Sequence, residues 1–115
     1  TILVAEDVES NFLLLKAIIG KTYTLLHAWN GKEAVEIYEQ SQPDLILMDI
    51  KMPEMDGLEA TRIIRKVSQE IPIIALTAFA FDDDRVKALE AGCNDYLTKP
   101  LSAPLLKETI AKYLV

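Results

Sequence analysis

Apolar residues fall along this chain of 115 residues in two alternating rhythms. Short, nearly continuous apolar runs occupy 2–5, 23–28, 45–48, 71–76 and 95–97. Three of them show no polar alternation, the pattern of parallel strands buried on both faces. Between the runs lie segments of roughly 9–13 residues, the usual length of crossover helices. These are 10–19, 32–40, 57–67, 83–91 and 103–114. Gly20 stops the first, Pro43 closes off the second and Gly92 stops the fourth. Asp82, Asp83 and Asp84 provide cap and dipole partners for the fourth. Ser102 is the candidate cap of the last, with Pro104 tolerated in its first turn. Five strand–helix units predict an α/β fold, a parallel five-stranded sheet with helices on both faces. No repeats, linkers or low-complexity tracts interrupt the pattern.

The first helix departs from a simple amphipathic stripe. It carries Phe12-Leu13-Leu14-Leu15 and then Ile18-Ile19, and four consecutive residues cannot share one helical face. Leu14 and Ile18 make one stripe; Phe12, Leu15 and Ile19 make a second beside it. One is expected on the sheet. Part of the other is left either as a broad core contact or as a docking face for a partner helix.

Composition narrows the class. The length suits one domain with a single core. Eighteen acidic against twelve basic residues leave a net charge of −6, which argues against direct nucleic-acid binding and suits a cation binder. A single cysteine, Cys93, cannot form an internal disulfide, so a reducing cytoplasm is the simpler expectation. No apolar stretch approaches ~18 residues, so no membrane insertion is expected. The chain starts at Thr1 and ends on Leu114-Val115 without an initiator Met. Trimmed ends would explain that; a single domain excised from a longer multidomain protein is the expectation carried here.

Charge then becomes chemistry at the strand ends. Asp49 closes the run Leu45-Ile46-Leu47-Met48, and Glu6-Asp7 follows Ile2-Leu3-Val4-Ala5 directly. Lys99 follows the fifth run, and Thr77 ends Ile73-Ile74-Ala75-Leu76. Carboxyl ends of parallel strands line the crevice where open α/β sheets bind ligands. If the first and third strands are neighbours, Glu6, Asp7 and Asp49 converge and repel one another. A hard divalent cation such as Mg²⁺ relieves that repulsion and keeps positions for phosphoryl oxygens. A carboxylate is also a competent nucleophile for phosphorus, forming an acyl phosphate. Lys99 would offer a point charge and Thr77 a hydroxyl to phosphoryl oxygens. Singly, each has a plainer explanation: a helix cap, a turn residue, a solvated lysine. Together, at the ends of four strands, those explanations weaken.

The motifs Val4-Ala5-Glu6-Asp7, Leu47-Met48-Asp49-Ile50-Lys51-Met52-Pro53 with Asp56-Gly57, Leu76-Thr77-Ala78 and Tyr96-Leu97-Thr98-Lys99-Pro100 complete a pattern. Over essentially the whole chain it resembles the receiver domain of two-component response regulators. The resemblance implies a flavodoxin-like sheet of strand order 2-1-3-4-5. It implies Asp49 as the phosphoacceptor, charged by a histidine kinase or a histidine phosphotransfer domain. Mg²⁺ would be held by Glu6, Asp7, Asp49 and the backbone carbonyl of Lys51. Thr77 and Lys99 would bind phosphoryl oxygens, and Tyr96 would be the aromatic switch that follows Thr77. The peptide between Lys99 and Pro100 is expected to be cis. Output would be a change of the surface made by the fourth helix, fifth strand and fifth helix.

Such a domain is a signalling module that catalyses only its own phosphorylation and dephosphorylation. The form Val-Ala-Glu-Asp with Asn11 downstream looks most like receivers of hybrid histidine kinases, the cytoplasmic part of a membrane-bound parent included. Receivers of this kind dock a phosphotransfer partner near the first helix, here Phe12, Leu15 and Ile19.

Other readings compete. A Mg²⁺-dependent phosphohydrolase with Asp49 as nucleophile would want a second Asp two residues on, where Lys51 stands. A flavodoxin-like cofactor binder would want a Ser/Thr/Gly-rich loop after the first strand. A phosphorylation-independent interaction module would have a damaged acidic site, and this one is intact. His27 is expected to be structural and away from the acidic strand ends. Trp29 is expected partly exposed in a turn, and Cys93 small and buried. Phe79 and Lys51 flank the site at positions that tune phosphoryl lifetime in the family.

Overall fold

A computed structural model describes residues 1–52, 54–78 and 82–114, the side chains of 82–84 apart. The expectations placed on Pro53, on Phe79, on capping by Asp82, Asp83 and Asp84, and on Val115 lie outside the described residues.

Strands and helices alternate: β1 (Ile2–Ala5), α1 (Glu9–Ile19), β2 (Leu25–Ala28), α2 (Gly31–Ser41), β3 (Leu45–Asp49), α3 (Gly57–Val67), β4 (Ile73–Thr77), α4 (Asp82–Ala91), β5 (Asp95–Thr98) and α5 (Ala103–Tyr113). The sheet runs β2-β1-β3-β4-β5, and every pairing is parallel. The predicted doubly wound architecture and strand order are those observed.

The unbroken apolar runs have a direct cause. Alternate residues of each strand point to opposite faces, and both faces carry helices. Leu3, Ala5, Ile46, Met48, Ile73 and Ala75 pack toward α2, α3 and α4. Ile2, Val4, Leu45, Leu47, Ile74 and Leu76 pack with Leu15, Ile19, Leu106 and Ile110 of α1 and α5. Each fully buried side chain of this size is worth about 1.5–3 kcal/mol, so the sheet holds the site rigidly.

Five strand boundaries differ from the expectation. Tyr23 lies before β2, because its N–H is taken by Ile19 O at 3.0 Å in the turn that ends α1. β4 starts at Ile73 rather than at 71, since Pro72 has no N–H for the ladder. β3, β4 and β5 each extend one residue further, to Asp49, Thr77 and Thr98. The polar residue at each strand tip is therefore held by the ladder rather than by a loop.

Side chains cap the starts of α2, α3 and α5. Asn30 caps α2 by accepting from the Glu33 N–H at 2.8 Å, and Glu33 returns to the Trp29 N–H at 2.9 Å. Asp56 caps α3 through the Glu59 N–H at 2.8 Å, and Ser102 caps α5 as expected. At the far end of the molecule Arg65 ties α3 to the turn between α4 and β5. Its guanidinium donates to Gly92 O at 2.8 Å, Ser68 O at 3.2 Å and Asn94 Oδ1 at 2.7 Å.

On α1 the stripe that packs inward is Leu15 and Ile19, each 1% exposed. Of the docking set Phe12, Leu15 and Ile19, two are therefore core and unavailable to a partner. Positions 15 and 19 are one turn apart and lie over the sheet, which rotates Leu13 (51% exposed) and Leu14 (50%) outward. Phe12 and Ile18 lie between, half-buried.

Candidate functional site

Because all five strands are parallel, their carboxyl ends open on one edge of the sheet. β1 and β3 are neighbours there, with Ala5 paired to Met48, so the next residues, Glu6 and Asp49, stand side by side. Asp7 follows at the exit of β1. One carboxylate oxygen from each of Glu6, Asp7 and Asp49 lies within 4.8 Å of the others. Thr77 closes β4, and Lys99 follows β5 beyond the Thr77–Thr98 pair. Together with Asn11 and Lys51 they line a cleft of about 240 Å³. A larger hollow of about 460 Å³ runs along β5 and α5, but its Glu108 and Lys112 are exposed, so no buried charge converges on it.

Burial in the cleft is severe. Glu6 is wholly buried, Asp49 is 6% exposed and Thr77 7%; Asp7 is half-buried. Buried carboxylates are tolerated only when paired and hydrogen-bonded. Lys99 Nζ donates to Glu6 Oε2 at 2.9 Å and to Asp49 Oδ2 at 3.1 Å. The other Glu6 oxygen accepts from the Val8 N–H at 3.2 Å and from Asn11 Nδ2 at 3.4 Å. The other Asp49 oxygen accepts from the Lys51 N–H at 3.3 Å, which brings the Lys51 backbone to the cleft. Lys99 is itself tied to β4, its N–H donating to Thr77 O at 2.7 Å.

These contacts drive the two buried acids apart. Asp49 is pushed up to about 6, first by burial and then by the charge of Glu6, with Lys99 offsetting only part. Burial acts on Glu6 in the same direction, but the hydrogen bond and charge of Lys99 outweigh it and hold Glu6 below its usual 4.5. Burial likewise disfavours the Lys99 ammonium, yet its bonds to Glu6 and Asp49 raise it. Three carboxylates therefore face the Lys99 ammonium, an excess of acidic groups. The ligand atoms on offer are all oxygens, with Glu6 and Asp49 buried and Asp7 half-buried. That set fits a hard divalent cation of the Mg²⁺ type, which would balance the excess.

Glu6, Asp7, Asp49, Lys51, Thr77 and Lys99 thus meet in one cleft, as the sequence predicts. Tyr96 lies on β5, half-buried, with the Arg85 guanidinium carbon 5.4 Å from its ring centroid. The Lys99–Pro100 peptide is cis. Cys93 is buried beside Thr61, and Trp29 is 44% exposed. One expectation is corrected: His27 does not lie away from the acidic end. Its Nε2 is 2.8 Å from the backbone carbonyl of Glu6. Asn11, noted only as a neighbour of the first motif, proves to be a donor to Glu6. Its spacing of five residues from Glu6 was the available signal; His27 offered none, because its partner is a backbone atom.

The sequence model of the response regulator receiver domain matches residues 2–111. The polar-differentiation response regulator DivK of Brucella anthropi is 39% identical over 117 residues, covering 99% of this chain and 95% of that protein. Among solved structures, the receiver domain of a Pseudomonas aeruginosa sensor histidine kinase, with a magnesium ion coordinated in its active-site cleft, superposes with a TM-score of 0.91 at 38% identity. It covers 98% of this chain and 95% of its own. The receiver domain of Saccharomyces cerevisiae Ssk1, crystallised with the histidine phosphotransfer protein Ypd1, gives 0.92 at 34% identity over 97% and 86%.

Proposed function

The chain belongs to the response regulator receiver domain family of two-component signalling, and on that premise we propose that Asp49 is its phosphoacceptor. The observation that carries this reading is the placement of the Asp49 carboxylate between two further acids and the Lys99 ammonium, 3.1 Å away, in a cleft open at the sheet edge. In the transfer an Asp49 oxygen attacks the phosphorus of a phosphohistidine on a histidine kinase or histidine phosphotransfer partner. A P–O bond forms, the P–N bond breaks, and the imidazole leaves with the bonding pair and takes up a proton.

Glu6, Asp7, Asp49 and the Lys51 backbone carbonyl would hold Mg²⁺. When bound, that ion supplies charge neutralisation for the phosphoryl oxygens. Lys99 then leaves its two carboxylates for a phosphoryl oxygen, and Thr77, at the tip of β4, donates its hydroxyl to another. Tyr96, one strand over, follows Thr77, biasing the α4–β5–α5 surface between two states. The partner docks on the exposed part of α1, Leu13 and Leu14 with the edge of Phe12. The likeness to the receiver of a sensor histidine kinase supports a cytoplasmic receiver of a hybrid kinase, and the likeness to DivK, matched over 95% of its length, supports a separate response regulator. Among the described residues no helix is long and apolar enough to cross a membrane.

Intact-mass measurement after incubation with acetyl phosphate tests the core of this. Wild type should gain one phosphoryl group only with Mg²⁺ present, and Asp49→Asn should gain none. A wild type that stays unmodified, or a variant labelled equally, ends the reading.

A further inference from the structure

We propose that His27 is a positioning residue for the cation site, setting the peptide between Glu6 and Asp7 so that both carboxylates face Asp49. This rests on the reading of the acidic cleft above. The β1–β2 ladder pairs Val4 with His27 and Ala5 with Ala28, and its last bond runs from the Glu6 N–H to Ala28 O at 2.9 Å. In a parallel ladder the Glu6 carbonyl would next accept from the β2 strand two residues beyond Ala28. The chain has already turned there, because Asn30 is the cap of α2. Glu6 O is met instead by the His27 side chain at 2.8 Å. A carbonyl only accepts, so Nε2 carries the hydrogen.

The ring has little freedom to leave. Phe12 of α1 stacks on it at 3.9 Å with planes 1° apart, and Trp29 packs at 4.2 Å and 39°. The bond matters most for Asp7. Glu6 is fixed by Lys99, Val8 and Asn11, but among the described residues no hydrogen bond reaches the Asp7 carboxylate. Its position follows from its backbone, which starts at the carbonyl that His27 holds. Partners that orient metal ligands from behind typically change affinity by 10–100-fold when lost; one acting through a peptide should fall at or below the low end.

The test is calorimetric titration with Mg²⁺ of His27→Phe, which keeps a ring in the stack and loses the N–H, and of His27→Gln, which keeps an N–H donor and loses the stack. Urea unfolding is measured on the same samples. The expected result is a Kd for Mg²⁺ raised about 5–10-fold in His27→Phe and within about 2-fold of wild type in His27→Gln. A His27→Phe protein that binds like wild type, with only its urea midpoint lowered, overturns the proposal. So do equal losses in both variants, which would show that an N–H donor at this position does not set the affinity. A wild type that takes up no Mg²⁺ overturns the cleft reading and this proposal with it, a result distinct from the other two. Should His27→Phe not fold, long-range ¹H–¹⁵N spectra of wild type decide: a ring bearing its hydrogen on Nδ1 alone ends the idea.

Discussion

Lys99 Nζ lies 3.1 Å from Asp49 Oδ2 while also holding Glu6, so the residue proposed to accept the phosphoryl group already shares its counter-ion with a neighbour. Lys99→Met removes the ammonium and leaves Glu6 buried and unpaired. We expect a loss of about 2 kcal/mol in urea unfolding without Mg²⁺, and acetyl phosphate labelling slowed by about tenfold or more. Adding Glu6→Gln should recover part of the stability. A single variant as stable as wild type would mean the pairing is not what tolerates the buried acid.

Asp49 and Glu6 should imprint opposite pH dependences. Asp49 titrates at about 6 in the fold against 3.8 unfolded, so the folded state holds this proton more tightly. The stability it lends is fully present below 3.8 and is lost as pH rises through 6. Without Mg²⁺, Asp49→Asn should therefore be more stable than wild type at pH 7.5, by about 1–2 kcal/mol after allowance for screening. The gap should close below pH 3.8. Glu6, held below 4.5, works the other way: its contribution is present above 4.5 and fades only as pH falls through the lowered value. A flat Asp49→Asn difference between pH 3.5 and 7.5 counts against both the burial and the crowding of that carboxylate.

Mg²⁺ should reverse the Asp49→Asn advantage. A ligand that binds only the folded state adds RT ln(1 + [L]/Kd), about 2.7 kcal/mol at a hundredfold excess over Kd. Wild type should gain this in a thermal melt, and the variant, with one carboxylate fewer, clearly less. Equal gains would place the cation elsewhere.

The two faces of α1 should separate folding from recognition. Leu15→Ala removes a fully buried side chain and should cost about 2–4 kcal/mol. Leu13→Ala and Leu14→Ala should each cost under about 0.5 kcal/mol while slowing phosphotransfer from a histidine phosphotransfer partner and sparing acetyl phosphate labelling. Slowing of both reactions in step would identify the surface leucines as structural.

Gly57 has no room for a side chain, because a Cβ there would collide with the backbone carbonyl of Asp49. Gly57→Ala should therefore lower both stability and Mg²⁺ affinity, read by urea unfolding and calorimetry. A variant with wild-type affinity would show that the start of α3 can shift without moving Asp49.

What could be read from the residues alone depended on how many partners each had to satisfy. The strands were legible because burial on both faces leaves apolar runs with no polar interruption. Asp49, Glu6 and Lys99 were legible because a charge that ends such a run has one place to point. On α1 two adjacent stripes are equally apolar, so helical spacing named both and could not say that 15 and 19 face the sheet. Tyr23 has strand character, yet the turn closing α1 claims its N–H. His27 stayed hidden because its partner is a backbone carbonyl, which has no identity in the sequence.

The ion pair of Lys99 with Glu6 spans 93 positions and joins two strands that are not neighbours, with β3 and β4 between them. The three acids stand at the ends of β1 and β3, but the ammonium that faces them is brought in only by the chain leaving β5. The charge balance of the cleft therefore depends on the completed five-stranded sheet.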